Sequence, residues 1–415
     1  MKHEQPCIDI LGVDRCTGCF GCQTACHQGA IHLALDAEGF YKPVVNRDAC
    51  NHCGLCQRRC PVLAYDAGRL PAAKWPEPKT FAAWSQDEPL RLASSSGGLF
   101  LELARPVIDA GGAVAGCVWG ADWTPQHVLV CTWPDVEKMC GSKYVPSHVG
   151  DVYHNVIEQL SGSGGPVLFV GTPCQVAALD LALNSEQRER VLLVDLICDG
   201  VPSLRVFHSY LRDLFRGEPV VSYRFREKSF GWGAFSVLAE SASRRCYHLR
   251  AALDPFVAGS QVYRLYMMTA CHVCVFARLP RAGDITLGDF WGCPEQWNDQ
   301  RGVSVALANT PGGLRALEAL VCSGRIVLEP AELATVTKGN HRLVTGEYAM
   351  PKNRRAFLNG VIAGKEFRSL KSKYFPKAAS KWRSWWSLFR GTDAKLEFLT
   401  KSVLRQLRKL GKRWS

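Results

Sequence analysis

Apolar residues along this 415-residue chain recur with the periods of both strands and helices. Residues 167–170 form a continuous apolar, β-branched run that is typical of a buried parallel strand, and the Gly-Thr-Pro that follows predicts a helix from residue 173 to about 183. A second apolar run, residues 191–197, leads into a helix that ends near residue 214. These segments together predict a βαβ unit with a right-handed crossover.

The flanking segments predict a less regular arrangement. Helical periodicity covers residues 99–110, between two glycine pairs, and a strand is predicted over residues 113–119. Residues 220–250 alternate as β-strands do, residues 284–290 predict one more strand, and residues 312–322 predict a helix. We therefore expect an α+β fold, with a mixed α/β core around the βαβ unit rather than a regular doubly wound sheet.

Two cysteine runs near the N-terminus have a spacing that binds iron-sulfur clusters. Both follow C-x2-C-x2-C-x3-C, in which three thiolates ligate one 4Fe-4S cube and the fourth reaches the other cube. The predicted ligands are Cys16, Cys19, Cys22 and Cys60 for the first cluster, and Cys50, Cys53, Cys56 and Cys26 for the second. A pair of zinc sites is the alternative, but zinc needs only four ligands per ion and no eight-cysteine double run.

Four further cysteines are predicted to meet at one edge of the βαβ unit. Cys174 and Cys198 follow its two strands, and the carboxyl ends of adjacent parallel strands converge on one crevice. Cys271 and Cys274 supply another C-x2-C. We predict that these four thiolates hold a third 4Fe-4S cluster. The alternative is that Cys174 and Cys198 are buried packing residues and that the C-x2-C is a redox pair or a loop feature.

The cysteine content and the lack of long apolar segments predict the cellular compartment of the protein. The chain has 19 cysteines, an odd number of which the double run uses eight, so a reducing cytoplasm is expected rather than a disulfide scaffold. The N-terminus shows no apolar signal segment, and no run of about 18 apolar residues occurs. We therefore expect a cytoplasmic protein that does not span a membrane.

The net charge of +12 belongs to the C-terminal tail. Residues 365–415 hold 15 Lys and Arg against 3 Asp and Glu, and the rest of the chain is balanced. From Lys395 onward, apolar residues recur at three- and four-residue steps among basic ones, which predicts a basic amphipathic helix. We expect peripheral contact with the inner face of an anionic membrane; a helix packed on the body and a nucleic-acid arm are the alternatives, and no nucleic-acid partner is expected.

Five motifs resemble those of one known family. They occur in the family's order and are residues 94–100 (SSSGGLF), 141–145 (GSKYV), 171–175 (GTPCQ), 195–202 (DLICDGVP) and 284–292 (DITLGDFWG). Over roughly residues 10–345 the chain is similar to the coenzyme F420 hydrogenase/dehydrogenase beta-subunit family, whose relatives include plant and bacterial reductases acting on chlorophyll intermediates. The resemblance implies an iron-sulfur oxidoreductase that contains FAD.

The same motifs imply where the flavin binds. The implied FAD contacts are Ser96, Gly97, Gly98, Gly141, Ser142, Lys143, Tyr144 and Thr172. Glycines before a helix allow close backbone approach, free N–H groups at a helix N-terminus bind phosphate, and a lysine can neutralise the pyrophosphate or raise the flavin potential. Lys228 and Asp289 are the candidate catalytic proton donors or acceptors. Trp232 or Trp291 is a candidate to stack on a flat ligand, with a core position as the alternative.

These features divide the chain into five segments. They are a two-cluster ferredoxin-like domain (1–67), a linker (68–80), the N-terminal part of a flavin-binding reductase domain (81–162), its C-terminal part with the third cluster (163–362), and the basic helical tail (363–415).

We expect electrons to pass from a soluble donor, ferredoxin or a deazaflavin, through the clusters to FAD, which reduces a small-molecule or lipid-linked substrate such as an envelope or polysaccharide precursor. Flavin is needed because each cubane carries one electron whereas a hydride carries two. The main alternative is an electron-transfer beta subunit that oxidises or reduces coenzyme F420 for a hydrogenase or formate dehydrogenase. A non-catalytic iron-sulfur scaffold is a third interpretation. No dinucleotide-binding glycine motif follows a strand, so a nicotinamide cofactor is not expected.

Overall fold

The computed structural model describes residues 4–69, 75–162 and 164–375. Its strands are β1 (Ile31–Leu35), β2 (Tyr41–Val45), β3 (Lys79–Ser85), β4 (Ala113–Trp119), β5 (Pro125–Val130), β6 (Val167–Gly171), β7 (Val191–Leu196), β8 (Val220–Glu227), β9 (Ser236–Ser241), β10 (Cys246–Arg250), β11 (Ile285–Asp289), β12 (Ser304–Ala308) and β13 (Ile326–Pro330).

The α-helices of the described residues are α1 (Cys7–Leu11), α2 (Gly21–Thr24), α3 (Leu55–Arg58), α4 (Pro61–Asp66), α5 (Glu88–Ala93), α6 (Leu99–Asp109), α7 (Trp133–Glu137), α8 (Val152–Ser161), α9 (Pro173–Asp180), α10 (Ser185–Glu189), α11 (Leu204–Leu214), α12 (Pro255–Val257), α13 (Thr269–His272), α14 (Pro311–Cys322), α15 (Leu333–Gly339), α16 (Arg354–Ile362) and α17 (Phe367–Tyr374). A π-helical turn, Ala258–Val262, follows α12.

An eight-stranded mixed sheet, ordered β13-β3-β12-β11-β7-β6-β4-β5, forms the centre of the molecule. The strands β4, β6, β7 and β11 are parallel, and the other neighbouring pairs are antiparallel. Strands β6 and β7, connected through α9 and α10, give the predicted βαβ unit, in which Val167 pairs with Val191. The expected mixture of helices and strands is therefore confirmed.

The side chains of β6 alternate between the two faces of this sheet, as its pleat requires. Leu168 shares a core with α6 and α14, whereas Phe169 shares a core with α8 and α9. The N-terminal cysteine-rich domain packs on this second face, where Phe20 and Val62 join Val176 of α9. The cysteine runs are thereby held against the βαβ unit.

A smaller antiparallel sheet, β10-β9-β8, packs against α11, α16 and α17. Its core includes Phe207 of α11 and Phe225 of β8, with Phe367 and Leu370 of α17. Because α17 buries these two side chains, the folded body continues to at least Tyr374, beyond the boundary at residue 362 expected from the sequence.

The linker predicted over residues 68–80 also differs from the structure, because its C-terminal end belongs to a strand. Lys79 opens β3, which lies between β12 and β13 in the large sheet, and the Trp75 N–H donates to the carbonyl of Asn309 at 2.8 Å. The rest of that linker, residues 70–74, and the predicted amphipathic helix with its membrane contact, within residues 376–415, lie outside the described residues. Among the helices described, none has the length and apolar character needed to cross a membrane.

Candidate redox site

A cavity of about 620 Å³ lies at the carboxyl ends of the four parallel strands. Cys117 of β4, Gly171 of β6, Leu196 of β7 and Asp289 of β11 all line it. This volume is within the range of small-molecule and cofactor sites. The crossover topology therefore places the carboxyl-end loops around one space.

Two other parts of the chain complete the cavity wall. Arg226 of β8 and Arg250 of β10 border it from the smaller sheet, and Thr17, Gly18 and Tyr41 border it from the N-terminal domain. The cavity is thus shared between both sheets and the cysteine-rich domain.

The four cysteines of the reductase part meet at this cavity. Cys174 lies in the first turn of α9, Cys198 follows β7, and Cys271 and Cys274 lie in and after α13, and all four are lining residues. Burial, together with electrostatic repulsion from the neighbouring cysteines, raises the pKa of Cys174 to about 12 and that of Cys198 to about 11. All four cysteines are half-buried, and their thiolates repel one another, so a bound cationic cluster would stabilise the charged form.

Local contacts hold the two cysteine loops together. The Arg342 guanidinium is buried and donates to the carbonyls of Cys198 at 3.3 Å and Cys271 at 3.1 Å. Gly200 has a positive φ of 104°, and a Cβ there would lie 2.9 Å from the Cβ of Cys271. A side chain at position 200 would therefore separate the cysteines.

The N-terminal cysteines divide into a buried and a more exposed group. Cys16, Cys19, Cys22 and Cys60, the predicted ligands of the first cluster, are buried and interact electrostatically with one another. Of the other four, Cys53 is exposed and Cys26, Cys50 and Cys56 are half-buried. Across the residues described, no three His, Cys, Asp or Glu side chains are grouped so as to hold a single metal ion.

The buried N-terminal group lies beside the reductase group. Cys19 and Cys174 are close enough to interact electrostatically, and Thr17, two residues before Cys19, lines the same cavity as Cys174. The fully buried Tyr153 hydroxyl is 2.9 Å from the carbonyl oxygen of Cys19 and 3.0 Å from that of Gln175. The two cysteine centres are therefore joined through one packed and hydrogen-bonded contact.

Seven of the eight implied flavin contacts line the cavity, namely Ser96, Gly98, Gly141, Ser142, Lys143, Tyr144 and Thr172. The eighth, Gly97, faces β3 and β12 instead, since its N–H donates to Ser304 Oγ and an added Cβ would lie 2.4 Å from the carbonyl oxygen of Ala83. The two implied loops contact each other directly, because the Ser142 N–H donates to Ser95 Oγ at 2.8 Å.

A buried ion pair connects these loops to the large sheet. Both terminal nitrogens of Arg226 donate to the Asp289 carboxylate, at 2.6 and 2.9 Å. The guanidinium also donates to Tyr144 Oη at 2.9 Å and to the carbonyl of Ser95 at 3.0 Å. Burial disfavours the charged guanidinium, but Asp289 and Tyr144 outweigh burial and raise the pKa of Arg226. Asp289 is therefore engaged as a hydrogen-bond acceptor, and Trp232 Nε1 donates to it as well.

The two candidate stacking tryptophans stack on each other. Their ring centroids are 5.2 Å apart with an interplanar angle of 3°, Trp232 is buried, and Trp291 lines the cavity. Trp232 is thus a core residue, while Trp291 retains contact with the cavity.

Lys228 lies behind the cavity rather than on its wall. Its Nζ donates to the carbonyls of Arg91, Ser96 and Arg301 at 2.7–2.8 Å, and it is not among the lining residues. Burial and the positive charge of Arg226 lower the pKa of Lys228 to about 7. This geometry gives Lys228 a positioning role for the 94–98 loop in place of the expected contact with a ligand.

Lys228→Met should destabilise the protein by about 1–3 kcal/mol, because three carbonyls lose their common donor. Urea unfolding of the variant and the wild type measures the difference. Lys138→Met is the matched control, since Lys138 pairs only with Asp135 at the surface and its loss should cost less than about 0.5 kcal/mol. Equal losses in the two variants would contradict the positioning role.

Two residues near the site have no recognisable spacing in the sequence. Cys7, which lies outside both N-terminal cysteine runs, donates its backbone N–H to Cys56 Sγ at 3.3 Å and is buried beside Cys22. Hydrogen bonds to cluster sulfurs tune reduction potentials. His127 of β5 lines the cavity and is buried. Only the folded chain brings either residue to the site.

Comparison with known proteins identifies the two parts of the chain. Residues 15–64 match the family model of the 4Fe-4S dicluster domain, and residues 165–333 match that of the C terminus of the coenzyme F420 hydrogenase/dehydrogenase beta subunit. The chain is therefore similar to this beta subunit over residues 165–333 and to the dicluster domain over residues 15–64. The resemblance drawn from the five motifs is confirmed, since residues 165–333 match the family's C-terminal model and residues 15–64 match the 4Fe-4S dicluster model.

Two curated proteins are similar to parts of the chain. The F subunit of the F(420)H(2) dehydrogenase of Methanosarcina mazei is 26% identical over 200 residues, which are 46% of this chain and 55% of that protein. The ferredoxin-type protein NapF of Haemophilus influenzae is 48% identical over 46 residues, 11% of this chain and 26% of that protein. The chain thus spans about half the length of the first relative and about a quarter of the second.

One solved structure is also similar. The F420-reducing NiFe hydrogenase complex of Methanosarcina barkeri matches with 18% identity and a TM-score of 0.45, over 70% of this chain and 90% of the matched chain.

Proposed function

We propose that this beta-subunit-type protein transfers electrons between coenzyme F420 and a redox partner, through a flavin in the cavity and three 4Fe-4S clusters. The names of the relatives favour this interpretation over a self-contained reductase of an envelope precursor. The observation that supports it most is the order of the cysteines from the surface to the cavity. Cys53 is exposed, Cys19 lies close enough to Cys174 to interact with it electrostatically, and Cys174 lines the cavity.

The donor sets fit the proposed clusters. The first ferredoxin cluster takes Cys16, Cys19, Cys22 and Cys60, the second takes Cys26, Cys50, Cys53 and Cys56, and the third takes Cys174, Cys198, Cys271 and Cys274. All twelve are free thiols, and four thiolates per cluster is the usual ligand number. The second cluster, whose ligands are the more exposed cysteines, exchanges electrons with an external partner such as ferredoxin.

The cavity fits FAD. Gly98, in the left-handed region with φ 93°, precedes the eleven-residue helix α6, whose N-terminal N–H groups have no side-chain cap and border the cavity. Such N–H groups bind phosphate. The N-terminus of α9 is different, because the N–H groups of Thr172 and Gln175 are already hydrogen-bonded within the Thr172–Gln175 cap and Pro173 has no N–H. We therefore assign the pyrophosphate to α6 and the ring system to the α9 side, near Cys174.

Basic residues dominate the charged part of the wall. The lining includes Lys143, Arg226, Arg250, Arg264, Arg281, Lys338 and Arg342, against Asp199 and Asp289. This excess favours anionic cofactors and substrates. Lys143 is held by the carbonyls of Met139 and Gly141, and burial lowers its pKa.

A bound flavin would supply the exchange between two-electron and one-electron chemistry. The chain's own residues hold the cofactor: the Arg226–Asp289 pair fixes the loops that border the cavity, the N-terminus of α6 orients the phosphates, and Trp291 and Tyr41 form part of the wall. Asp289 is positioned by Arg226 and Trp232 with its carboxylate at the lining.

Anaerobic mixing with reduced coenzyme F420 tests the proposal. We expect the flavin and cluster absorbance of the full chain to bleach with F420 and to remain unchanged with NADH. A protein that is reduced by ferredoxin and turns over an organic substrate, yet ignores F420, would contradict the proposal and restore the self-contained reductase. Purification with clusters but without flavin would favour the scaffold.

A further inference from the structure

The β1–β2 hairpin of the N-terminal domain reaches the reductase part of the chain. Its tip, residues 36–40, is joined to the start of α11 by two hydrogen bonds. The Leu204 N–H donates to the carbonyl of Gly39 at 3.1 Å, and Ser203 Oγ donates to the carbonyl of Glu38. The tip of the hairpin therefore lies directly against the N-terminus of α11.

The segment that receives the hairpin belongs to the cysteine loops of the reductase part. The loop that follows Cys198 pairs with the segment that precedes Cys271, since the Met268 N–H donates to the carbonyl of Val201 at 2.9 Å. The two loops are in close contact, because a Cβ at Gly200 would lie 2.9 Å from the Cβ of Cys271. A shift of either loop would therefore move the cysteines relative to each other.

Phe40, at the tip of the hairpin, packs on the second of these loops. It is 1% exposed and forms a small apolar cluster with Met268 and Ala270, against which the half-buried Cys271 also packs. The N-terminal domain thus supplies part of the packing around a predicted ligand of the third cluster.

Arg354 joins the hairpin to the same segment. Its Nη2 donates to Glu38 Oε2 at 2.7 Å, and its Nε donates to the carbonyl of Met267 at 2.8 Å. The side chain of Arg354 is 9% exposed and that of Glu38 is 32% exposed. A buried guanidinium without its carboxylate is unfavourable, so loss of Glu38 favours a shift of Arg354 away from Met267 and toward solvent.

The same hairpin also contacts the loop of the first predicted cluster. Lys42 Nζ donates to the carbonyl of Cys16 at 2.6 Å, and a Cβ at Gly18 would lie 2.6 Å from the carbonyl oxygen of Tyr41. One hairpin therefore contacts the loops that carry the first and the third set of cysteines.

We propose that the β1–β2 hairpin positions the third cluster, with Glu38, Gly39 and Phe40 as the positioning residues that hold the Cys198 and Cys271 loops in place. The inference rests on the third cluster of the proposed function. It adds residues that lie outside the five family-like motifs.

Glu38→Ala should weaken the third cluster selectively. The variant should keep about 12 irons per chain when it is freshly purified without air, yet release about four of them to a chelator roughly tenfold faster, because loss of an outer partner of a metal site typically weakens the site ten- to hundredfold. The midpoint potential of the third cluster should change, whereas those of the ferredoxin clusters should not. Glu38→Gln keeps an oxygen that accepts from Arg354 and should release iron within about threefold of the wild-type rate.

Gly39→Ala tests the hairpin from its other contact. An added Cβ would lie 2.6 Å from the backbone nitrogen of Arg205, so the methyl group should push the hairpin away from α11 and give the same selective effects. Gly68→Ala is the matched control, since Gly68 also has a positive φ, 66° against 86°, but no atom within 4 Å of an added Cβ. It should release iron at the wild-type rate.

The experiment uses the full chain with its clusters under anaerobic conditions. Iron release to a ferrous chelator, the midpoint potentials of the clusters by electron paramagnetic resonance and the urea unfolding midpoint are measured for the wild type and the four variants. Faster release confined to about four irons, with a changed potential of the third cluster, is expected in Glu38→Ala and Gly39→Ala only. Glu38→Ala decides the question alone if Gly39→Ala does not fold, since the Glu38 side chain is partly exposed.

Unchanged release and potential in Glu38→Ala would overturn the inference. Faster release that all clusters share would overturn it too, because the hairpin would then only hold the two parts of the chain together. A wild-type protein with about eight irons would instead refute the third cluster on which the inference rests, whatever the variants show.

Discussion

Cys174→Ala should lower the iron content of anaerobically purified protein from about 12 to about 8 atoms per chain. The reason is positional: Cys174 lines the cavity together with Cys198, Cys271 and Cys274, and it interacts electrostatically with Cys198 and Cys274. Electron transfer between the ferredoxin clusters and the flavin should slow steeply, because the middle step of the pathway is removed and tunnelling falls off exponentially with distance.

Iron analysis and stopped-flow absorbance measure the two effects. Cys322→Ala is the matched control, since Cys322 is exposed at the end of α14 and far from every proposed ligand set in the sequence. It should keep about 12 irons and the wild-type rate. Full iron content in Cys174→Ala would contradict the third cluster and favour the alternative in which Cys174 is a packing residue.

Asp289→Ala should destabilise the protein by about 3–5 kcal/mol, because it leaves the Arg226 guanidinium, with a side chain only 2% exposed, as a buried charge without its carboxylate. Chemical unfolding measures the loss. Flavin affinity should fall in the same variant, since Arg226 also holds Tyr144 and the carbonyl of Ser95.

Two further variants test whether the lost stability comes from leaving one charge of the Arg226–Asp289 pair buried without its partner. Replacing both partners, as in Arg226→Met with Asp289→Leu, should cost much less than Asp289→Ala, because no charge remains buried. Glu88→Ala, which breaks the exposed Arg301–Glu88 pair, should cost less than about 1 kcal/mol. A loss of similar size in Asp289→Ala and Glu88→Ala would contradict the scaffolding role of the buried pair.

Local patterns predict much of this fold. The strand predicted at residues 113–119 is β4, and the apolar runs at 167–170 and 191–197 correspond to β6 and β7. Those two strands then place Cys174 and Cys198 at one edge of the sheet, because parallel strands joined by a helix end on the same side. The local sequence was sufficient to predict a strand wherever the strand is an unbroken run of apolar residues.

Long-range pairing could not be predicted in the same way. β3 begins in a proline-containing stretch that resembles a linker, and it becomes an interior strand only because β12 and β13 pair with it from more than 200 residues away. Lys228 has the sequence context of a catalytic lysine, yet three carbonyls from distant segments surround its ammonium. His127 gives no signal in the sequence, because its burial against Phe169 follows from the pairing of β5 with β4.

A reductive titration of anaerobic protein tests the central claim most directly. Three clusters that each accept one electron and a flavin that accepts two predict about five electrons per chain, with the flavin absorbance accounting for about two of them. An uptake of about two electrons without flavin absorbance, or metal analysis that finds zinc in place of iron, would contradict the account.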